Sequence, residues 1–236
     1  MVLVLFALTL LMLLVAGGYQ TYERALREFP VETVVDAIQC KSTYTPLSQI
    51  PQIYKEAVLA VEDRRFYRHK GIDLLAIWDA FLCDVRAGEL IAGGSTITQQ
   101  FCKNQFFTQK KILTRKIAEV FMVREIERRY TKDEILELYI NSIYYGAGYY
   151  NIADASRGYF GKAPIELNAW ECTLLAGIPN APSAYALTVN PELAQKRQRQ
   201  VLDAMVQCRY LTKKGANTIL LQCPEDFQKK NKPKNA

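Results

Sequence analysis

Histidine is almost missing from this chain of 236 residues, since His69 is the only one. The six cysteines, at positions 40, 83, 102, 172, 208 and 223, form no C-x-x-C pair that could replace histidine as a metal ligand. The composition therefore argues against a structural zinc site. No Ser/His/Asp or Cys/His arrangement is suggested around His69. The scattered cysteines permit disulfides but do not demand them.

Charge is missing from the first sixteen residues, MVLVLFALTLLMLLVA. This run is slightly shorter than the roughly 20 residues of a bilayer span, and Gly17 to Tyr19 can extend it to the interface. No basic segment precedes the run and no A-x-A site follows it, which favours an anchor over a cleaved signal peptide or a buried core helix. We predict a single transmembrane anchor over residues 1–19. With nothing before it, the positive-inside rule gives no orientation.

The rest of the chain carries mixed charge and a net +6. Basic residues alternate with acidic ones until the tail, QKKNKPKNA, so nucleic acid is a poor candidate partner, whereas a phosphate or an anionic lipid surface fits. We predict a connector over residues 20–49, helical around TYERALREF and extended through Pro30 and Pro46. A folded domain over 50–222 and a basic, disordered tail over 223–236 follow.

Helical patterns dominate the predicted domain, and no alternating strand pattern exceeds about four residues. A mostly α-helical fold is therefore predicted. Helix starts are indicated by capping residues and by proline in the first turn. These signals are Pro51, Asp73 (for a helix ending near Gly88), Ser95 or Thr96 after a Gly93-Gly94 turn, the pairs Thr131/Glu134 and Asn168/Glu171, and Asn190-Pro191.

The first segment with chemical potential is EDRRFYRHKGID, which begins at Glu62 and follows an apolar helix face. A carboxylate at the edge of such a face loses hydration, which raises its pKa and suits a general base. The alternative is an ordinary helix end whose acids pair with Arg64 and Arg65 in solvent. Next comes GGSTITQQ, with Lys103 and Asn104 one turn later. Glycines and a helix N-terminus can receive a phosphate, although an isolated GGST is usually a plain turn and cap.

Two further segments combine charge with helical spacing. Arg115, Lys116 and Glu119 share a helix face, so two cations beside a carboxylate could hold a pyrophosphate, directly or through a metal. The alternative is a surface ion pair of little energetic value. In the segment KDEILELYIN, the polar residues Lys132, Glu137, Tyr139 and Asn141 interrupt an apolar helix, which indicates architectural partners.

In order and spacing, EDRRFYRHKGID, GGSTITQQ, RKIAE and YTKDEILELYIN closely resemble the motifs of family 51 glycosyltransferases. These are the peptidoglycan glycosyltransferase domains of bifunctional penicillin-binding proteins and the monofunctional transglycosylases. The resemblance runs from about Ile50 to about Met205 and includes SRGYFGK and LTVNPELAQKRQRQVLDAM. It implies a lysozyme-like helical domain with a smaller membrane-associated lobe, here preceded by the transmembrane helix.

The resemblance also implies an activity, polymerisation of lipid II into β-1,4-linked glycan with inversion. Glu62 matches the catalytic base, and Glu119 the second essential acid, placed near the donor pyrophosphate. No cofactor is expected, although a divalent cation (Mg or Mn) at Glu119 is an option. Substrate contacts are expected from Asp63, Phe66, His69, Ser95, Thr96, Gln99, Gln100, Lys103, Asn104, Arg115 and Lys116, and supporting roles from Gly71, Asp73, Lys132, Glu137, Tyr139 and Asn141.

The implied setting is the bacterial cytoplasmic membrane, crossed once, with the catalytic domain on its extracytoplasmic face. Expected partners are lipid II, the growing glycan strand, membrane lipid and transpeptidases or other cell wall synthesis proteins, with moenomycin as an inhibitor. A glycan-cleaving lysozyme-like enzyme and a non-catalytic scaffold are the alternatives. Loss of Glu62, Lys103 or Glu119 is expected in a scaffold, and all three are present.

The sequence departs from the family in two respects. Asn151 stands where the family usually has glycine. No S-x-x-K signature of a penicillin-binding transpeptidase occurs, so we expect either a monofunctional protein or a separate or truncated first module.

Overall fold

A computed structural model describes residues 1–87, 94–108, 113–224 and 227. These residues form α-helices joined by loops and short 3-10 turns and contain no β-strand, so the predicted mostly α-helical class is confirmed. The helices are α1 (Val2–Glu28), α2 (Val31–Gln39), α3 (Gln52–Glu62), α4 (Leu74–Ala87), α5 (Ile97–Phe106), α6 (Leu113–Arg129), α7 (Lys132–Ile140), α8 (Ile152–Phe160), α9 (Ala169–Gly177), α10 (Pro182–Tyr185), α11 (Pro191–Gln207) and α12 (Lys213–Leu221).

The chain divides into two compact units. The first unit comprises residues 1–41 and 65–142. In it α6 packs against α1 and α5, and α7 packs against α2 and α5. The buried side chains between these helices are aliphatic and aromatic, and they supply most of the free energy of folding through burial of apolar area. They include Ile97, Phe101, Met122, Ile126, Ile135 and Leu138.

The second unit comprises residues 42–64 and 143–236. Its centre is formed by α3, α9 and α11, which pack against one another. Tyr54, Trp170 and Val201 are buried there. A polar contact orders the same core, because the Gln198 side-chain amide donates to the Trp170 carbonyl at 2.8 Å and to the Thr173 hydroxyl at 2.9 Å.

Most of the predicted helix starts are confirmed by their capping hydrogen bonds. Thr96 caps α5, and Thr131 caps α7, each in a reciprocal capping box with the residue three positions on. Asn168 caps α9 in the same way, and Asn190 accepts from the amide of Leu193 ahead of Pro191. Asp73 accepts from the amide of Ala76 at the start of α4. The predicted end at Gly88 and the Gly93 turn position lie outside the described residues, as does most of the predicted tail.

The prediction of an extended segment is wrong for residues 31–39, which form α2. Proline disfavours helical backbone at the residue before it, so α1 ends ahead of Pro30, but proline does not prevent a new helix from starting at once. Val31, Val35 and Ile38 are spaced on one face of that helix, and all three are buried. The predicted boundaries of the connector, the domain and the tail stay predictions.

Candidate active site

Glu62 is the last residue of α3, in the second unit. The preceding turns bury Tyr54, Ala57 and Val58, so the helix delivers this carboxylate to the end of an apolar face. The Oε1 atom of Glu62 is shielded from solvent, although the residue as a whole is partly exposed. Asp63 follows as the C-terminal cap; its amide donates to the Leu59 carbonyl at 3.1 Å and its side chain is buried.

Two buried tyrosines lie on the core side of Glu62, and the sequence analysis missed both. The hydroxyl groups of Tyr54 and Tyr145 form a hydrogen bond. Burial raises the pKa of Tyr145 well above its usual range, and the negative charge of Glu62 raises it further, while the bond to Tyr54 opposes both. Tyr145 therefore stays a neutral phenol, close enough to the candidate base for the charge of Glu62 to act on it.

The backbone around Tyr145 explains how it is held. Its amide donates to the Tyr149 carbonyl at 2.7 Å, and its own carbonyl accepts from the Tyr159 hydroxyl at 2.8 Å. Between them, Gly146 has φ +78° and a Cβ there would lie 2.6 Å from the Pro182 carbonyl oxygen. Only glycine fits this position. The segment YYGAGYY was the available sequence signal for this turn.

Asn151, one of the two departures from the family, precedes α8 in the same unit and caps it. Its side-chain oxygen accepts from the Asp154 amide at 2.8 Å, and its side-chain nitrogen donates to the Thr43 hydroxyl at 3.1 Å. Its φ of −158° is extended backbone, so no glycine is required. Asn151 therefore acts as the N-cap of α8.

In the first unit, an ion pair closes the loop between Arg65 and Asp73. The Arg65 Nε lies 2.7 Å from the Asp73 carboxylate, which also accepts from the Ala76 amide at 3.0 Å. Burial alone would raise the pKa of Asp73, but these hydrogen bonds and the Arg65 charge outweigh it, so the pKa is lowered. His69 is turned inward within the loop, since its Nδ1 accepts from the Gly71 amide at 3.0 Å.

Gly71 joins this loop to the start of α5. Its φ is +88°, and a Cβ would lie 2.4 Å from a methyl group of Val123 and 2.8 Å from Glu127 Cγ. The carbonyl of Gly71 accepts from the Thr96 hydroxyl at 2.6 Å. Both backbone strain and crowding therefore require glycine here.

The GGSTITQQ residues divide between structural and accessible positions. Thr96 and Gln99 are buried and their side chains complete the capping box of α5. Gln100 accepts from the Tyr139 hydroxyl at 3.2 Å. Their assignment to substrate stays a prediction. Accessible side chains belong to Ser95 and Asn104, which are exposed, and Lys103, which is half-buried.

Arg115, Lys116 and Glu119 come together on α6 as their spacing predicted. Glu119 is 1% exposed; one of its oxygens pairs with Arg115, and the other lies 3.1 Å from Lys116 Nζ. The Lys116 side chain is half exposed, so the cluster has a buried carboxylate and a positive outer surface. Beneath it on α5, burial and the charges of Glu119 and Glu127 raise the pKa of Cys102 well above its usual value, which keeps that thiol neutral.

Glu127, two turns after Glu119, is a partly buried partner that the sequence analysis missed. One of its oxygens accepts from the Thr98 hydroxyl at 2.6 Å and from Lys132 Nζ at 2.7 Å. The Lys132 ammonium also lies 4.4 Å from the centre of the Phe66 ring. Glu127 thus connects α5, α6 and α7 to the loop after Glu62. The spacing of 119, 123 and 127 on one helix face was the signal for it.

The architectural interpretation of KDEILELYIN agrees with these contacts. Lys132 binds Glu127, Tyr139 is buried and donates to Gln100, and the Asn141 side chain, also buried, donates to the Glu137 carbonyl at 2.9 Å. Glu137 itself is half-buried.

Replacing Glu127 with alanine is expected to lower the free energy of unfolding by about 2 kcal/mol, because the buried Thr98 hydroxyl and the partly buried Lys132 ammonium lose their shared acceptor. Glu125→Ala on the same helix is the control, and we expect about 0.5 kcal/mol, since its arginine partners Arg128 and Arg129 remain hydrated. Thermal unfolding in detergent measures both variants. Equal losses for the two would show that Glu127 is an ordinary surface acid.

The structure thus brings together, within the first unit, the loop from Phe66 to Asp73, the start of α5, and the cluster on α6. Glu62 and Asp63 lie in the second unit. The α1 helix is long and apolar enough to cross a membrane, with most of its large apolar side chains exposed.

Comparison with known proteins matches a sequence model described as transglycosylase to residues 31–206. A Cupriavidus necator protein classed as a transglycosylase is 40% identical over 217 residues, which cover 90% of this chain and 94% of the relative. Penicillin-binding protein 1A of Neisseria gonorrhoeae is 43% identical over 72% of this chain, and that of Aquifex aeolicus 44% over 73%. The chain spans only 21% and 24% of those two proteins.

Among solved structures, penicillin-binding protein 1A from Haemophilus influenzae aligns with a TM-score of 0.46 and 23% identity, over 77% of this chain and 17% of that one. Together with these relatives, the apolar α1 helix indicates a membrane-anchored protein. The chain belongs to the transglycosylase family, the peptidoglycan glycosyltransferases of family 51.

Proposed function

We propose that this protein polymerises lipid II at the membrane surface, with Glu62 as catalytic base. The observation that carries the proposal is the cluster on α6, where a buried Glu119 is flanked by Arg115 and Lys116. A lipid pyrophosphate is the part of such a substrate that most needs cations, because it gains negative charge as it leaves. A glycosidase releases no pyrophosphate and has no comparable need for this cluster.

In the proposed step, the 4-hydroxyl of the sugar on an incoming lipid II attacks C1 of the donor sugar on the growing chain. The bond from C1 to the pyrophosphate oxygen breaks, and the pyrophosphate leaves with the bonding electrons. Glu62 takes the hydroxyl proton as the new bond forms. Attack opposite the leaving group converts an α-linked donor into a β-1,4-linked product.

The cations are proposed to stabilise the leaving group. Arg115 can donate two parallel hydrogen bonds to phosphate oxygens, and Lys116 supplies a mobile point charge at the outer surface of the cluster. Glu119 holds both side chains in position. Lys103, half-buried at the end of α5, is proposed as a third cation.

No cofactor is proposed for this step. A divalent ion at Glu119 fits poorly, because both carboxylate oxygens already meet a cation and Mg²⁺ or Mn²⁺ requires several oxygen ligands. An ion there would have to displace Arg115 or Lys116. The proposed mechanism therefore relies on side-chain cations alone.

We place the protein in the bacterial cytoplasmic membrane, crossed once by α1, with the rest of the chain on the extracytoplasmic face. Lipid II and the growing strand are its substrates, and transpeptidases or other cell wall synthesis proteins are its proposed partners. No nucleic-acid partner is proposed.

Extension of existing strands separates this function from a hydrolase. Purified protein in detergent is expected to leave preformed lipid-linked glycan strands intact, and to lengthen them when lipid II is added, because such strands still carry the pyrophosphate that leaves in each step. Mass spectrometry of the strands gives the outcome. Shortening of the strands without lipid II would replace the transferase by a glycan-cleaving enzyme.

Moenomycin, which mimics the lipid-phosphate donor in this family, is expected to bind the detergent-solubilised protein. Replacing Lys116 with alanine should weaken binding by about tenfold, since one charge-assisted contact to phosphate is lost. Calorimetric titration measures both affinities, with Lys55→Ala, a lysine of the other unit, as the control. Absence of binding to folded wild-type protein would count against the donor site.

A further inference from the structure

The backbone of the anchor helix lies directly against a side chain of the helix that carries the cation cluster. Gly18 of α1 is buried against α6, and a Cβ there would lie 2.3 Å from a methyl carbon of Ile117 and 2.6 Å from Ile117 Cβ. Rotation of the Ile117 side chain cannot relieve this clash, because the backbone fixes the position of its Cβ. Any residue larger than glycine at position 18 must therefore push the two helices apart.

Further contacts fix the direction of the packing. The rings of Tyr19 and Tyr22 lie against Phe121, with centroid distances of 5.4 and 5.8 Å. From Gly18 to Tyr22 is four residues along α1, and from Ile117 to Phe121 is four residues along α6. The two helices therefore run parallel over this contact, and each advances by four residues between the two contact points.

This register places the cluster at a defined height along the anchor. Arg115 and Lys116 precede Ile117 on α6, so they lie level with the end of the apolar run of α1. Glu119 lies about 3 Å beyond Ile117 along the helix axis. The apolar run over residues 2–19 is about 27 Å long, close to the thickness of a bilayer hydrocarbon core. Tyr19 and Tyr22 are the aromatic residues expected at its interface.

We propose that Gly18 is a positioning residue, which lets the anchor lie directly against α6 and so sets the Arg115, Lys116 and Glu119 cluster at the level of the lipid phosphates. This inference rests on the proposed lipid-linked substrate. The pyrophosphate of such a substrate stays at the membrane surface because its lipid tail holds it there. A cluster that is held at the same level meets it without lifting the lipid out of the membrane.

Gly18→Ala and Gly17→Ala form a matched pair for the test, since each adds one methyl group to the same helix. A Cβ at Gly17 would lie 3.3 Å from the flexible Thr114 methyl group only. Leu113, which is 61% exposed at the start of α6, can be replaced by a fluorescent non-natural amino acid. Its fluorescence then reports how deep the start of α6 lies relative to the membrane. In liposomes, quenching by lipids with nitroxides at known depths gives its position.

Gly18→Ala is expected to shift this depth profile and to lower kcat/KM for liposome-embedded lipid II by about tenfold, mainly through KM. A short-chain, water-soluble donor in detergent is not held at a membrane surface, so the position of the cluster relative to that surface should not affect its binding. With this donor, the loss should stay within about twofold. Gly17→Ala should change neither. The double variant Gly18→Ala, Ile117→Gly removes the side chain that the alanine would meet, so it should restore the depth profile.

An unshifted profile in Gly18→Ala would overturn the proposal, as would a shifted profile with unchanged kcat/KM or an equal shift in Gly17→Ala. Equal losses with both substrates would show a general loss of folding instead of a loss of height, and would also overturn it. If the unaltered protein forms no glycan, the proposed function fails. The depth profiles of the matched pair would still decide whether Gly18 sets the height.

Discussion

Glu62→Gln is expected to lower the rate of lipid II polymerisation by about 10³-fold, because the amide keeps the size of the side chain but cannot take the proton from the attacking hydroxyl. The initial rate in detergent with labelled lipid II measures the loss. Folding should be unaffected, since Glu62 lies at the end of α3 and the substitution leaves the buried Tyr54 and Tyr145 pair in place.

Glu56→Gln is the matched control for this substitution. It lies on the same helix, six residues earlier, and its carboxylate accepts a surface hydrogen bond from the Gln52 side-chain amide at 3.0 Å. We expect its rate to match wild type. A rate for Glu62→Gln within tenfold of wild type, from protein with an unchanged melting temperature, would remove Glu62 from the role of base.

Glu119→Gln is expected to lower the rate by about 10²-fold. The amide still fills the buried position, but the negative charge that holds Arg115 and Lys116 together is lost. The two cations then separate, and the leaving pyrophosphate loses charge stabilisation that was organised in advance. The main effect should be on kcat, because this charge is needed most as the bond to the pyrophosphate breaks.

Glu125→Gln serves as the control for Glu119, since Glu125 lies on the same helix and pairs with Arg128 and Arg129 on the surface. Its turnover should equal that of wild type. The same turnover in Glu119→Gln would refute the assignment, and a loss confined to KM would move Glu119 from the reaction step to initial binding.

Local features of the fold could be predicted from the sequence because their signals are local. The cap at Thr131 and its partner Glu134 are three residues apart, and the same holds for Asn168 and Glu171. Each cap requires only a short polar side chain and the next turn of backbone. The helix over residues 31–39 was not predicted, because Pro30 restricts the backbone of the residue before it and leaves the chain after it free to form a helix.

The candidate site was predicted where its residues share one helix and missed where partners come from afar. Arg115 and Glu119 are four residues apart, so the pairing follows from helical spacing. By contrast, Thr98 reaches Glu127 across 29 residues and Tyr54 reaches Tyr145 across 91. Such pairs depend on how helices pack, which no local pattern states. The glycine at position 18 is of the same kind, because its partner is Ile117.

The most direct test of the account is incubation of the detergent-solubilised protein with labelled lipid II, with the products separated on a gel. We predict a ladder of polymer that lysozyme digests, present with wild type and absent with Glu62→Gln. Lipid II left unchanged by well-folded wild-type protein, or polymer formed equally well by Glu62→Gln, would contradict the account.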